Sequence, residues 1–194
     1  LKGHGIPVLP SAVVTRASVI NDLRNVQKEI LSTPGLEEFP LFVKPCHLGS
    51  SIGISVANDL PGLNAGLAKV FKYDHKAIVE PCITELMEIN VAVMDDEPPV
   101  ASVVEIPVAS SQSLTYEDKY LRGGNKSTES SQGMASLTRV IDPQDLAPAI
   151  KQQVQGYALK AFKALGCSGV GRFDFIYDLS KEILYFNELN PIPG

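Results

Sequence analysis

The end of the chain constrains its fold more tightly than any other stretch. Residues 170–177 and 183–190 read as two strands, with Arg172 and Asp174 alternating with Phe173 and Phe175 in the first, and a short polar turn near Lys181 joins them. A period of two marks half-buried strands, and the short connection makes them an antiparallel hairpin. Arg172 and Asp174 lie two apart, as do Glu188 and Asn190, so each pair shares one face of its strand. With the turn centred on Lys181, Asp174 stands seven residues before it and Glu188 seven after, while Arg172 and Asn190 stand nine away on either side. The two acids then oppose each other across the ladder, where like charges repel. A hard cation lying there would remove the conflict. Two carboxylates with an amide oxygen are typical ligands of Mg²⁺, whose shell phosphate and water oxygens complete. Taken alone, a solvated polar face accounts for the same letters.

Upstream, the pattern predicts a mixed α+β chain. Residues 6–14 read as a loop and short strand entering a helix, which Thr15 caps and which carries Val19, Leu23, Val26 and Ile30 at helical spacing. Residues 41–44 form a strand ended by Pro45, and Ile52, Ile54 and Val56 alternate as in a second. Asp59 caps a helix that turns Leu60, Leu63, Leu67, Val70 and Phe71 inward, and residues 76–80 form another strand. The second half opens with strands over 88–94 and 100–108. Asp142 caps a helix bearing Leu146, Ile150, Tyr157, Ala161 and Leu165, with Gly166 as its stop. The intervening residues 110–134 are polar, hold Gly123-Gly124 and lack apolar periodicity. A loop of that length is as a rule either functional or disordered.

Three further stretches could serve a nucleotide. Gly49-Ser50-Ser51-Ile52-Gly53 is a run of small residues whose backbone N–H groups can approach a phosphate, although no Gly-Lys-Ser/Thr follows and no dinucleotide fingerprint is present. Lys44 stands just before it as a point charge. Glu80-Pro81-Cys82-Ile83 leaves a strand extended, offering backbone groups to an adenine edge, and Glu88 could accept from ribose hydroxyls. Lys119-Tyr120 lies in the long loop, where it could close over phosphates and exclude water. Each feature alone is equally an ordinary turn or surface.

The bulk numbers exclude other classes. The 194 residues are 44% hydrophobic and 20% charged, with a formal net charge of −5, enough for one core or two small lobes. No basic stripe marks a nucleic-acid binder. No apolar run reaches the roughly 18 residues of a membrane span, and residues 1–7 lack the regions of a signal peptide. Cys46, Cys82 and Cys167 are odd in number and outside any CxxC pair, as expected of reduced, buried thiols in a cytosol. The chain opens on Leu1-Lys2-Gly3 and stops at Pro193-Gly194, so a piece of a longer protein is expected.

Taken in order, Phe42-Val43-Lys44-Pro45, Gly49-Ser50-Ser51-Ile52-Gly53, Val79-Glu80, Tyr116-Glu117-Asp118-Lys119-Tyr120, Gly166-Cys167-Ser168-Gly169, Arg172-Phe173-Asp174 and Asn187-Glu188-Leu189-Asn190 with Pro193-Gly194 resemble the D-alanine–D-alanine ligases of the ATP-grasp superfamily. The resemblance covers essentially the whole chain. It implies an ATP-grasp fold, with two α+β lobes clamping ATP. The smaller lobe would be residues 1–83 and the larger, incomplete one 84–194, without the N-terminal substrate domain. It implies that Lys44, Lys119 and Ser51 contact phosphates, that Glu80, Pro81 and Ile83 hold adenine, and that Glu88 holds ribose. Asp174, Glu188 and Asn190 would ligate two Mg²⁺ ions, with Mn²⁺ as an alternative. Arg172 and the backbone N–H of Gly194 would stabilise an oxyanion, and Ser50 and Tyr120 would position substrate.

The implied activity is ligation of D-alanine or a related amino acid into a D-alanyl-D-alanine-type dipeptide, through an acyl phosphate, for peptidoglycan precursors in the cytoplasm. The expected partners are small molecules, not nucleic acid or membrane, with room for a homodimer of the full-length protein. The Lys119-Tyr120 pair argues mildly for a dipeptide over a D-lactate product, whereas the glycine- and serine-rich residues 122–136 depart from the family pattern. Two alternatives stay open: a paralogue ligating other amino acids, and a non-catalytic nucleotide-binding module. Retention of Arg172 beside the three metal-ligand candidates speaks against the latter, since a pure binder needs no oxyanion donor.

Overall fold

A computed structural model describes residues 1–48, 52–108 and 138–191. Their contacts divide them into two compact units. One gathers residues 9–48 and 52–84; the other gathers residues 1–8, 85–108 and 138–191.

The first unit is a four-stranded antiparallel sheet with two helices on its core face. Its strands are β1 (Ala12–Thr15), β2 (Leu41–Pro45), β3 (Ser55–Ala57) and β4 (Lys76–Pro81), in spatial order β1-β4-β2-β3. Helix α1 (Arg16–Leu31) starts where expected, its Thr15 hydroxyl accepting from the Ser18 N–H at 3.1 Å. It is not continuous: Asp22 leaves helical geometry and its carboxylate accepts from the Asn25 N–H at 3.0 Å, so the helix is capped a second time and restarts. Only Val26 and Ile30 of the expected apolar stripe are fully buried. Helix α2 (Leu60–Val70) is capped by Asp59, which accepts from Gly62 N–H at 2.7 Å. Leu63, Leu67 and Val70 are buried with Val43, Ala77 and Val79. Leu60, expected inside, is exposed because it sits at the first turn, and Phe71 is only part-buried. The strand expected over 52–56 is shorter, since Ile52 and Gly53 are turn residues and Gly53 has a left-handed φ of 81°.

In the second unit β5 (Leu86–Met94), β6 (Val100–Ala101), β7 (Glu105–Val108), β8 (Thr138–Ile141), β9 (Val170–Asp178) and β10 (Ile183–Asn190) form an antiparallel sheet ordered β10-β9-β5-β7-β8, with β6 beside β5. The strand expected over 100–108 is broken at residues 102–104, where Val104 is buried and Ser102 exchanges hydrogen bonds with Ala92. Strand β8 was not among the expected elements. Helix α3 (Pro148–Ala164) starts later than expected, with Pro in its first turn and no side-chain cap. Asp142, expected as that cap, instead has φ 48° and accepts from the Lys151 ammonium at 2.6 Å. Gly166 does stop the helix, in the left-handed region at φ 64°. Leu165 is exposed there.

Val154, Ala158, Ala161 and Phe162 of α3 pack on Ile89, Val91, Val93, Phe173, Phe175 and Leu184. Phe186 meets Phe175 edge-on, with centroids 5.7 Å apart, and lies tilted at 57° against Phe173. One face of the sheet is thus committed to core, and alternation sends the intervening side chains to the other.

Candidate active site

That other face is polar. Register sets Asn90 beside Asp174 on the central strands, with Glu188 opposite Asp174 on the far side and Asn190 opposite Arg172. Glu105 faces Asn90 from β7. The expected meeting of Arg172, Asp174, Glu188 and Asn190 is therefore observed. It depends on a bulge: Phe186 pairs with Phe175, but after a register shift Glu188 pairs with Asp174. Without that shift, the pairing of Phe186 with Phe175 would continue to set Glu188 opposite Phe173, on the core face.

The side chains interlock. Arg172 donates to both oxygens of Asp174, from Nε at 2.7 Å and from a terminal nitrogen at 2.8 Å, a bidentate pair. The Asn190 amide nitrogen donates to Asp174 at 2.9 Å and to Glu188 at 3.3 Å. Glu105 takes Asn90 at 3.5 Å and lies 3.6 Å from Arg139. Burial pushes the Asp174 carboxyl upward; Arg172 pulls against it, Glu188 and Glu88 add repulsion, and the net direction is up. Asp174 in turn holds the Arg172 guanidinium more firmly charged than usual.

Glu88, Glu105, Asp174 and Glu188 bring four carboxylates to this face, against the guanidiniums of Arg139 and Arg172. A divalent cation fits that imbalance. The position bridged by the Asn190 amide, within hydrogen-bond reach of both acids, is where positive charge is already drawn, and rotating the amide would offer its oxygen. Asn90, Glu105 and Arg139 are not among the candidates from sequence. Glu88 and Asn90 do alternate with Ile89, Val91 and Val93, a period-two signal that could have found Asn90.

In the first unit Lys44 and Glu80 form an ion pair at 2.7 Å, both side chains largely buried. Cys82 donates its N–H to Pro40 O at 3.0 Å, and Pro81 has none. Of the linker expected to face adenine, neither Pro81 nor Cys82 therefore has a backbone N–H to spare. Ser50, Ser51, Lys119, Tyr120 and Gly194, and the long loop over 110–134, lie outside the described residues. The three cysteines are half-buried rather than fully buried, and burial raises the thiols of Cys46 and Cys167, as in unreactive sites. Among the described residues no helix is long and apolar enough to cross a membrane.

Comparison with known proteins is consistent throughout. The family model described as D-ala D-ala ligase C-terminus matches residues 1–194. The D-alanine--D-alanine ligase of Acetivibrio thermocellus is 34% identical over 193 residues, covering 98% of this chain and 46% of that protein. The D-alanine--D-alanine ligase A of Bradyrhizobium diazoefficiens is 37% identical over 192 residues, covering 98% of this chain and 47% of its own length. Among solved structures, the VanG D-Ala:D-Ser ligase from Enterococcus faecalis superposes with a TM-score of 0.73 at 27% identity, covering all of this chain and 50% of that one. The chain thus spans about half the length of the curated relatives it matches. With its ATP-grasp sheets and the Arg172, Asp174, Glu188 and Asn190 cluster in place, the chain belongs to the D-alanine–D-alanine ligase family, of which it spans the C-terminal portion.

Proposed function

We propose that the full-length protein is an ATP-dependent carboxylate–amine ligase making a D-alanyl-D-alanine-type dipeptide for peptidoglycan precursors in the cytoplasm. The observation that carries this reading is the face on which Arg172, Asp174, Glu188 and Asn190 converge. A carboxylate is a poor acyl donor. Its oxygen attacks the γ-phosphorus of ATP, ADP departs, and the acyl phosphate that results has a good leaving group. The amine of the second amino acid then attacks the acyl carbon, loses a proton, and phosphate leaves.

Residues divide the work. Asp174, Glu188 and Asn190 would hold Mg²⁺, as two ions or with Mn²⁺ in its place; the bound metal supplies neutralisation of charge on the transferring phosphoryl. Arg172, fixed in position by Asp174, stabilises the tetrahedral oxyanion together with the Gly194 N–H. Lys44, steadied by Glu80, meets phosphate with Ser51 and Lys119. Glu80, Pro81 and Ile83 hold adenine, Glu88 the ribose, and Ser50 and Tyr120 the amino-acid substrate. In this scheme residues 1–83 and 84–194 are the smaller and larger lobes.

Phosphate release by the full-length protein, with D-alanine, D-serine or D-lactate offered, tests this. D-alanine is expected to stimulate release with dipeptide formed. Asp174→Asn should abolish the Mg²⁺-dependent turnover, and undiminished turnover would overturn the assignment. Stimulation by D-serine as second substrate is the other reading, favoured by the similarity to a D-Ala:D-Ser ligase.

A further inference from the structure

A second cluster of metal-ligating side chains lies in the first unit and plays no part in the proposed chemistry. His47 follows β2 by two residues, and Asp74 and His75 form the turn into β4. The Asp74 side chain is 2% exposed. Backbone fixes it: one oxygen accepts from the N–H groups of His75 at 2.6 Å and Lys76 at 3.1 Å, the other from the His47 N–H at 2.9 Å. Its own carbonyl accepts from the Arg16 guanidinium at 3.0 Å.

Both imidazoles turn to this anchored carboxylate. His47 Nδ1 lies 3.0 Å and 3.1 Å from its two oxygens, and His75 Nδ1 lies 3.3 Å from one of them. The rings are nearly parallel, at 13°, with centroids 5.1 Å apart. One ligand atom from each residue falls within 4.8 Å of the other two. In a tetrahedral site with bonds of about 2.0–2.1 Å, neighbouring ligand atoms stand about 3.3–3.4 Å apart, so the observed nitrogen–oxygen separations need little adjustment. The two rings are 56% and 69% exposed, which leaves a side open for water as a further ligand.

We propose that His47, Asp74 and His75 bind a divalent transition-metal ion of the Zn²⁺, Co²⁺ or Ni²⁺ class. Two imidazole nitrogens with one carboxylate oxygen suit these ions and are poor ligands for Mg²⁺. Bound metal would tie the end of β2 to the α2–β4 turn. The inference is independent of the ligase reading, because it uses none of the same residues.

The test is titration of the full-length protein with Co²⁺ in the presence of excess Mg²⁺, which keeps the oxygen-rich face occupied. One equivalent is expected to bind with the visible absorption of nitrogen-ligated Co²⁺, and Zn²⁺ should displace it. His47→Gln and His75→Gln should each weaken binding by at least about tenfold, whereas Asp174→Asn should not. Because His75 is exposed, His75→Gln is expected to leave the metal-free melting temperature unchanged, which separates lost ligation from lost folding. Failure to retain Co²⁺ against Mg²⁺, or equal retention by the two histidine variants, would overturn the site and leave the rings as hydrogen-bond partners of Asp74.

Discussion

Single carboxylates in this chain are set to opposite tasks by what surrounds them. Asp178, at the end of β9, is 2% exposed and accepts from the Ser180 hydroxyl at 2.7 Å and from the N–H groups of Ser180 and Lys181 at 3.0 and 3.1 Å. It thereby closes the turn of the hairpin that carries Glu188. Burial pushes its carboxyl up, but these donors outweigh burial and the net direction is down. A depressed folded value means that the contribution to stability is fully present above the unfolded value of about 3.9 and is lost as pH falls through the folded one. Asp178→Ala is expected to cost about 1–3 kcal/mol at neutral pH, read from urea unfolding midpoints. The gap between variant and parent should narrow below about pH 4. A gap that stays constant down to acid would mean that the charge on Asp178 contributes nothing. Asp174 has the contrary environment: its net shift is upward, and its partners lie on the functional face.

At the scale of elements, the hairpin shows what a sequence discloses and what it conceals. Counting outward from Lys181 placed Asp174 opposite Glu188, and that pairing is observed. Nearer the turn the count is one residue off, since Ile183 pairs with Asp178 and Phe186 with Phe175. The bulge between Phe186 and Glu188 reconciles the two halves, and its trace is legible: the core-facing letters run Leu184, Phe186 and then Leu189, a change of phase. Local signals were equally readable, as with the Thr15 and Asp59 caps and the Gly166 stop. Features that depend on distant partners were not. Strand β8 exists by pairing with β7, and Asn90, Glu105 and Arg139 join the polar face only through that sheet. His47 and Asp74 stand 27 residues apart. The restart of α1 at Asp22 looks, in sequence, like an ordinary exposed helical residue.

Bulges beside functional sites re-aim side chains. Deleting Asn187 restores simple alternation and keeps Glu188 opposite Asp174, but removes the local bend. The full-length variant is expected to keep the parent's far-UV circular dichroism while ATP turnover falls about 10²-fold, the cost of a roughly 1 Å misplacement. Undiminished turnover would show that the ladder alone, without the bulge, places the carboxylate.

At the scale of the molecule, the residues proposed to serve the nucleotide fall in two units, each with its own core. Lys44 and Glu80 belong to the first, and Glu88, Asp174, Glu188 and Asn190 to the second. A ligand that binds only the folded state raises stability by mass action, about 2.7 kcal/mol when its concentration is 100 times Kd. If one nucleotide draws on both sets, a change in either unit must diminish the same stabilisation. Lys44→Ala and Asp174→Asn, each weakening Mg-ATP about tenfold, should each remove about 1.4 kcal/mol of it, measured as the ligand-induced shift in unfolding midpoint of the full-length protein. The two variants should part company when Mg²⁺ is withheld. Lys44→Ala should still lower the remaining shift with ATP alone, because its charge acts on phosphate directly, whereas Asp174→Asn should then match the parent, because its carboxylate acts through the metal. Equal behaviour of the two under both conditions would separate Asp174 from metal binding and return the polar face to a structural role.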